Sequence, residues 1–112
     1  MTALDRLAET IETRRGVSPK DSWTAALLSR GPEKCAEKFG EEAIEAVIEA
    51  VRGDRAALMR EAADVLYHLL VMLSAREVAF AEVLAELERR EGRSGIAEKA
   101  ARDGPETEAG KE

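Results

Sequence analysis

The chain has a single cysteine, Cys35, so no disulfide can form within it. It lies in a charge-rich helical stretch and is expected to be a small, half-buried filler rather than a nucleophile. Its single histidine, His68, has no partner with which to build a His- and Cys-based zinc site. No run of about eighteen apolar residues occurs, so no membrane-spanning helix is expected. The opening Met1-Thr2-Ala3-Leu4-Asp5-Arg6 lacks the apolar core of a signal peptide, which makes a cytoplasmic location the expectation. Basic residues are outnumbered, with 17 Lys and Arg against 23 Asp and Glu and a net charge of −6. That balance argues against general nucleic-acid binding, which needs a basic stripe. A nucleotide substrate stays open, because a bound metal and local Lys or Arg can supply positive charge. Strand-like alternation and internal repeats are missing as well.

What remains is helical periodicity. Leu4, Leu7, Ala8 and Ile11 recur at helical spacing among charged residues, giving an amphipathic first helix that ends near Gly16. Residues 16–22 read as a loop rich in turn formers. Ser22 can cap a short helix from Trp23 to Ser29, and Pro32 suits the first turn of a long helix from Pro32 to about Val51. Gly40 inside that helix costs about 1 kcal/mol against Ala and suggests close approach of another element. Ala43, Ile44, Val47, Ile48 and Val51 form its apolar stripe. Gly53-Asp54 stops it and starts the next helix, which runs to about Arg76. A further helix carries Ala79, Val83, Leu84 and Leu87 and ends at Glu91-Gly92, and a short one spans Ile96 to Arg102. The chain of 112 residues is thus read as one all-α domain, a helical bundle over residues 1–103, with a polar and disordered tail over 104–112.

The informative feature is acidic. Glu42-x-x-Glu45 lies on the first long helix and Glu61-x-x-Asp64 on the second. A three-residue step puts both members on one side of a helix. The tight connection at Gly53 makes the two helices antiparallel neighbours, and Glu45 and Glu61 stand eight residues to either side of it. Both are then about 12 Å from the hairpin end, at matching heights. Taken alone, Glu41, Glu45 and Glu49, with Lys38 on the same flank and Glu42 near its edge, read as a solvated acidic face. The second helix alters this, because Glu61 and Asp64 open the apolar stretch from Ala62 to Leu73. Ionised carboxylates in such surroundings need a cation or a metal. The alternatives are an ion pair with Arg60 or Lys38, or a divalent ion. Oxygen donors suit Mg²⁺, with Mn²⁺ possible. A di-iron bundle would want Glu-x-x-His, whereas Val65 stands three before His68. His68 therefore reads as a packing residue or one behind the ligands.

The acidic pattern resembles that of the MazG-like all-α nucleoside-triphosphate pyrophosphohydrolases. Segments 22–28, 33–43, 61–71, 84–90 and 94–102, taken in order, narrow the likeness to the phosphoribosyl-ATP pyrophosphohydrolase family. The resemblance implies hydrolysis of phosphoribosyl-ATP to phosphoribosyl-AMP and pyrophosphate, the second step of histidine biosynthesis. It implies Mg²⁺ held by Glu42, Glu45, Glu61 and Asp64, with Glu41 the first candidate for general base and Glu42 the alternative. Lys34, Lys38, Lys99 and Arg102 become candidates for holding substrate. Trp23 is either core, the preferred assignment, or a platform near the adenine. The apolar helix after Ala62 and the family likeness together imply a homodimer. Two departures are visible: there is no cyclohydrolase domain with its Cys and His ligands, which leaves the next pathway step to another protein, and Trp23 stands where many relatives have Tyr. Two rival readings share the residues, namely a house-cleaning hydrolase of noncanonical nucleoside triphosphates and a non-catalytic helical interaction module.

Overall fold

The computed structural model describes residues 1–91, and among these every regular element is an α-helix. The chain divides into two units, Met1–Phe80 and Ala81–Glu112. The Ile96–Arg102 helix, Lys99, Arg102 and the 104–112 tail lie outside the described residues.

In the first unit, α1 (Ala3–Thr13) begins with a capping box. Thr2 Oγ1 accepts from the Asp5 amide at 3.1 Å, and the Asp5 carboxylate accepts from the Thr2 amide at 3.1 Å. The bonds that this carboxylate accepts, from the Thr2 amide first and from the Thr2 hydroxyl at 2.9 Å second, hold the Asp5 pKa below its ordinary value. The short α2 (Trp23–Ser29) is capped by Ser22, whose Oγ accepts from the Ala25 amide at 3.1 Å. α3 (Pro32–Arg52) has Pro32 in its first turn behind Gly31, whose φ of 93° is open to glycine. It ends at Gly53 (φ 81°), whose amide donates to the Glu49 carbonyl. Asp54 then caps α4 (Arg55–Ala75) by accepting from the Ala57 amide at 3.0 Å. A connection of two residues folds α3 and α4 into an antiparallel hairpin, as expected. α4 closes with a Schellman motif, the Val78 amide bonded to the Leu73 carbonyl and the Glu77 amide to that of Ser74. The left-handed position is filled by Glu77 (φ 59°) rather than by glycine.

The core is built at one end of the hairpin. Ile11, Leu27, Cys35, Leu70 and Val71 are buried together, with Leu4, Leu7, Leu28, Tyr67, Leu73 and Phe80 packed around them. Cys35 is fully buried rather than half-buried; its thiol donates to the Leu27 carbonyl at 3.3 Å, and burial pushes its pKa up. A polar bridge ties the end of α1 to the end of α4. The Arg15 guanidinium donates to the Ser74 carbonyl and, at 2.9 Å, to the Ser74 hydroxyl, which in turn donates to the Glu12 carboxylate at 2.9 Å. A cation on the last carbonyls of α4 also suits the negative end of the helix dipole.

The other end of the hairpin stays open within this unit. Ile44, Val47 and Val51 on α3 are each at least 60% exposed, and Met59 on α4 is 68% exposed. The greasy stretch after Ala62 is therefore largely covered in its later half, and the bare apolar surface lies on α3 and the early part of α4. Gly40 has no close neighbour: a Cβ built on it meets nothing within 4 Å, so the packing reason expected for it is absent in the single chain.

The second unit is described only through α5 (Phe80–Arg90) and Glu91. Glu86 accepts from Arg89 at 2.7 Å and from Arg90 at 3.0 Å. Those two guanidinium groups pull the Glu86 pKa down to about 2.

Candidate active site

The hairpin brings acids from both long helices together. Oxygens of Glu42, Glu45 and Glu61 all lie within 4.8 Å of one another. The register explains it, since the Gly53–Asp54 turn sets the Glu45 and Glu61 turns opposite each other. Glu42 and Glu61 are half-buried between the helices, and Glu45 and Asp64 sit on the exposed rim. The expected flank on α3 is thus rotated: Glu42 is central rather than peripheral, and Glu41 points to solvent.

The electrostatics are those of an overloaded acidic pocket. Burial raises the Glu61 pKa first; the adjacent Glu45 adds to this as a hydrogen-bond partner for the protonated form and as a charge, and the charges of Asp64 and Glu42 add to it again. Glu61 Oε1 is itself buried and has no hydrogen-bond donor. Such an oxygen is costly to leave alone. Oxygens bound to one Mg²⁺ at about 2.1 Å can be at most about 4.2 Å apart, so the observed cluster lies within a small side-chain movement of that geometry. Three hard oxygen donors and one orphaned buried oxygen fit a hard divalent cation. Asp64 is outside the closest cluster, yet its charge is felt at Glu61.

The remaining candidates fall around this centre. Lys38 pairs with Glu41 at 3.4 Å, and Lys34 pairs with Glu37 at 3.3 Å. Neither of the ion-pair alternatives considered for the acids, Lys38 or Arg60, bonds a member of the Glu42, Glu45 and Glu61 cluster among the described ion pairs. His68 is buried, and its Nδ1 has no hydrogen-bond partner. Burial lowers its pKa first; the charges of Glu42, Asp64 and Glu41 oppose this and that of Lys38 assists it. His68 lies outside the acidic cluster and packs edge-on against Tyr67, ring centroids 5.0 Å apart. Trp23 is 62% exposed, which overturns its assignment to the core. Its neighbour Thr24 is bonded to the Tyr67 hydroxyl at 2.5 Å.

Sequence reasoning undervalued Glu49. It is half-buried one turn beyond Glu45, with Oε1 buried, without a hydrogen bond and 3.8 Å from the Arg52 guanidinium. The spacing of Glu42, Glu45 and Glu49 at three and four residues carried the signal, which a solvated-face reading masked.

A family model described as phosphoribosyl-ATP pyrophosphohydrolase matches residues 4–91. A protein of Cereibacter sphaeroides named phosphoribosyl-ATP pyrophosphatase is 76% identical over 102 residues, covering 91% of this chain and 99% of its own. Proteins of the same name from Dinoroseobacter shibae and Rhodobacter capsulatus are 74% and 71% identical, each over 91% of this chain and over 100% and 99% of their own. Among the described residues no helix is long and apolar enough to cross a membrane.

Proposed function

The chain belongs to the phosphoribosyl-ATP pyrophosphohydrolase family, and from that premise we propose that it hydrolyses phosphoribosyl-ATP to phosphoribosyl-AMP and pyrophosphate, the second step of histidine biosynthesis, with Mg²⁺ at its acidic centre. The observation that carries the reading is the convergence of Glu42, Glu45 and Glu61 from two helices, with a buried Glu61 oxygen left without a donor. Glu42, Glu45 and Glu61 would hold the ion, with Asp64 joining from the rim; Mn²⁺ offers the same hard-acid chemistry. A bound dication would supply charge neutralisation of the phosphate oxygens.

The other steps belong to the side chains. Water adds to one of the two phosphorus atoms joined by the α–β bridging oxygen, the bond from that phosphorus to the bridging oxygen breaks so that phosphoribosyl-AMP and pyrophosphate part, and the proton of the water must go to a base. Glu41 is exposed, lies outside the acidic cluster and is paired with Lys38 rather than with another acid, and its carboxylate is the first candidate to take that proton, with Glu42 the alternative. Lys38, paired to Glu41 one turn before Glu42, and Lys34, one turn earlier, would exchange their carboxylate partners for phosphate oxygens. Lys99 and Arg102 are proposed to reach the 5′-phosphate of the additional ribose or a partner subunit. His68 holds the face of α4 behind the acids.

We further propose a homodimer. The stripe Ile44, Val47, Ile48 and Val51 lies on the side of α3 away from the acids and is exposed in the single chain. A second copy of the hairpin is the natural cover for an apolar face of this kind. A cytoplasmic location is part of the same proposal.

The test is pyrophosphate release from phosphoribosyl-ATP with and without Mg²⁺, set beside dCTP and dUTP. Release that requires Mg²⁺ and is lost in Glu45→Gln, while the variant stays folded, is the expected result. Faster turnover of dCTP or dUTP would favour a house-cleaning hydrolase. No release from any of them would leave a non-catalytic helical module.

A further inference from the structure

Trp23 is the only tryptophan in the chain, and it stands in solvent at the start of α2. A large aromatic gains most by burial, so an ordered indole left open is suited to receive a flat partner. The backbone on either side of Trp23 is held. On one side the Ser22 hydroxyl caps the Ala25 amide at 3.1 Å. On the other, the Thr24 hydroxyl is bonded to the Tyr67 hydroxyl at 2.5 Å, and the Tyr67 ring stands edge-on to the His68 ring. Tyr67 is three residues beyond Asp64, one turn of the helix that carries Glu61. Following this path, the Trp23 backbone lies at most about 20 Å from the Asp64 backbone. That separation is comparable to the length of an extended nucleotide.

We propose that the Trp23 indole is the platform on which the adenine ring of the nucleotide stacks, so that its phosphates reach Glu42, Glu45 and Glu61. The identity of the base rests on the pyrophosphohydrolase reading above. The tether through Thr24 and Tyr67 links the platform to the acid-bearing helix, so the distance from base to phosphate is set by the fold rather than by a mobile loop. Stacking on an exposed ring holds the base equally in ground and transition states. It therefore appears in KM and not in kcat.

Because the chain has one tryptophan, its fluorescence reports this residue alone. Wild-type protein is titrated with ATP and, separately, with inorganic triphosphate, which shares the phosphates and lacks the base. Saturable quenching by ATP alone is expected. Trp23→Ala is expected to raise KM for phosphoribosyl-ATP by about tenfold or more with kcat and melting temperature unchanged, and Trp23→Tyr to recover most of the loss. Unquenched emission with an unchanged KM in Trp23→Ala overturns the proposal. So does emission that follows dilution of the protein and ignores ATP, which would mean that a second copy covers the indole. Quenching by ATP without hydrolysis of phosphoribosyl-ATP would uphold the platform and remove the proposed reaction; hydrolysis without quenching would do the reverse.

Discussion

Adding Mg²⁺ to metal-free protein is expected to raise its melting temperature, and neutralising one acid of the cluster is expected to remove that gain. Without a cation, Glu42, Glu45 and Glu61 hold their oxygens within 4.8 Å of one another, and burial first, with the neighbouring acids adding to it, raises the Glu61 pKa. A ligand that binds only the folded state at a hundredfold excess over its dissociation constant stabilises by about 2.7 kcal/mol. For a chain of 112 residues this moves the melting temperature by roughly 10 °C. The assay is thermal unfolding followed by circular dichroism, in EDTA and in MgCl₂, with NaCl matching the ionic strength and protein concentration held fixed. Glu45→Gln and Glu61→Gln each remove one charge from the cluster. Each is expected to melt higher than wild type in EDTA and to lose most of the Mg²⁺ response. A Mg²⁺ response as large in both variants as in wild type would place the ion elsewhere. Variants that melt lower in EDTA would mean that these carboxylates stabilise the metal-free fold, contrary to the reasoning.

Glu77→Gly is expected to stabilise the protein by about 0.5–1 kcal/mol, read from urea unfolding, because Glu77 occupies a left-handed position that disfavours a side chain; an unchanged or lower midpoint would contradict this. Ser74→Ala breaks the bridge between Arg15, Ser74 and Glu12 at a buried hydroxyl and is expected to cost about 1–2 kcal/mol in the same assay, so a loss near zero would mean that water replaces the hydroxyl without penalty. The third concerns pH. Burial depresses the His68 pKa in the folded state below the ordinary 6.5, so the unfolded chain binds the proton first. Its contribution to stability is present above pH 6.5 and is lost as the pH falls through the lower folded value. Metal-free wild type should therefore lose stability with acidification more steeply than His68→Gln over that window. Parallel profiles would mean that His68 takes no part.

Much of the fold was legible because its determinants are local. Ser22 as a cap, Pro32 in a first turn and the Gly53–Asp54 stop-and-start each act within a few residues, and the observed helices begin and end there. The meeting of Glu45 with Glu61 followed from counting outward from the turn. What escaped the sequence depends on partners far along the chain or on helix rotation. Arg15 meets Ser74 across most of the first unit, and neither residue carries a local sign of it. Helical spacing put Glu42 at an edge and Glu41 within the stripe. The inward face is in fact set by Cys35 and its neighbours packing into the core, which turns Glu42 and Glu49 toward α4. Trp23 was assigned inward because tryptophan usually is, but the cap at Ser22 and the tether at Thr24 fix α2 with the indole outward.

In the half nearer its turn, the long hairpin is polar where its helices meet and apolar where α3 faces away, the reverse of what a self-sufficient helix pair would choose. On α3, Glu42 and Glu49 turn inward while Ile44, Val47 and Val51 turn outward. Both faces are unfavourable in the isolated chain, for unrelated reasons: like charges converge on one, and hydrocarbon meets water on the other. The proposed dication would relieve the first and the proposed second copy the second, and each would act only on the folded hairpin. If both are bound, the two are linked through folding, since whatever orders the hairpin for one prepares it for the other. On this argument the core formed by α1, α2 and the later half of α4 serves as an anchor at one end. The acid-bearing half of the hairpin would then be completed by the proposed ion and partner.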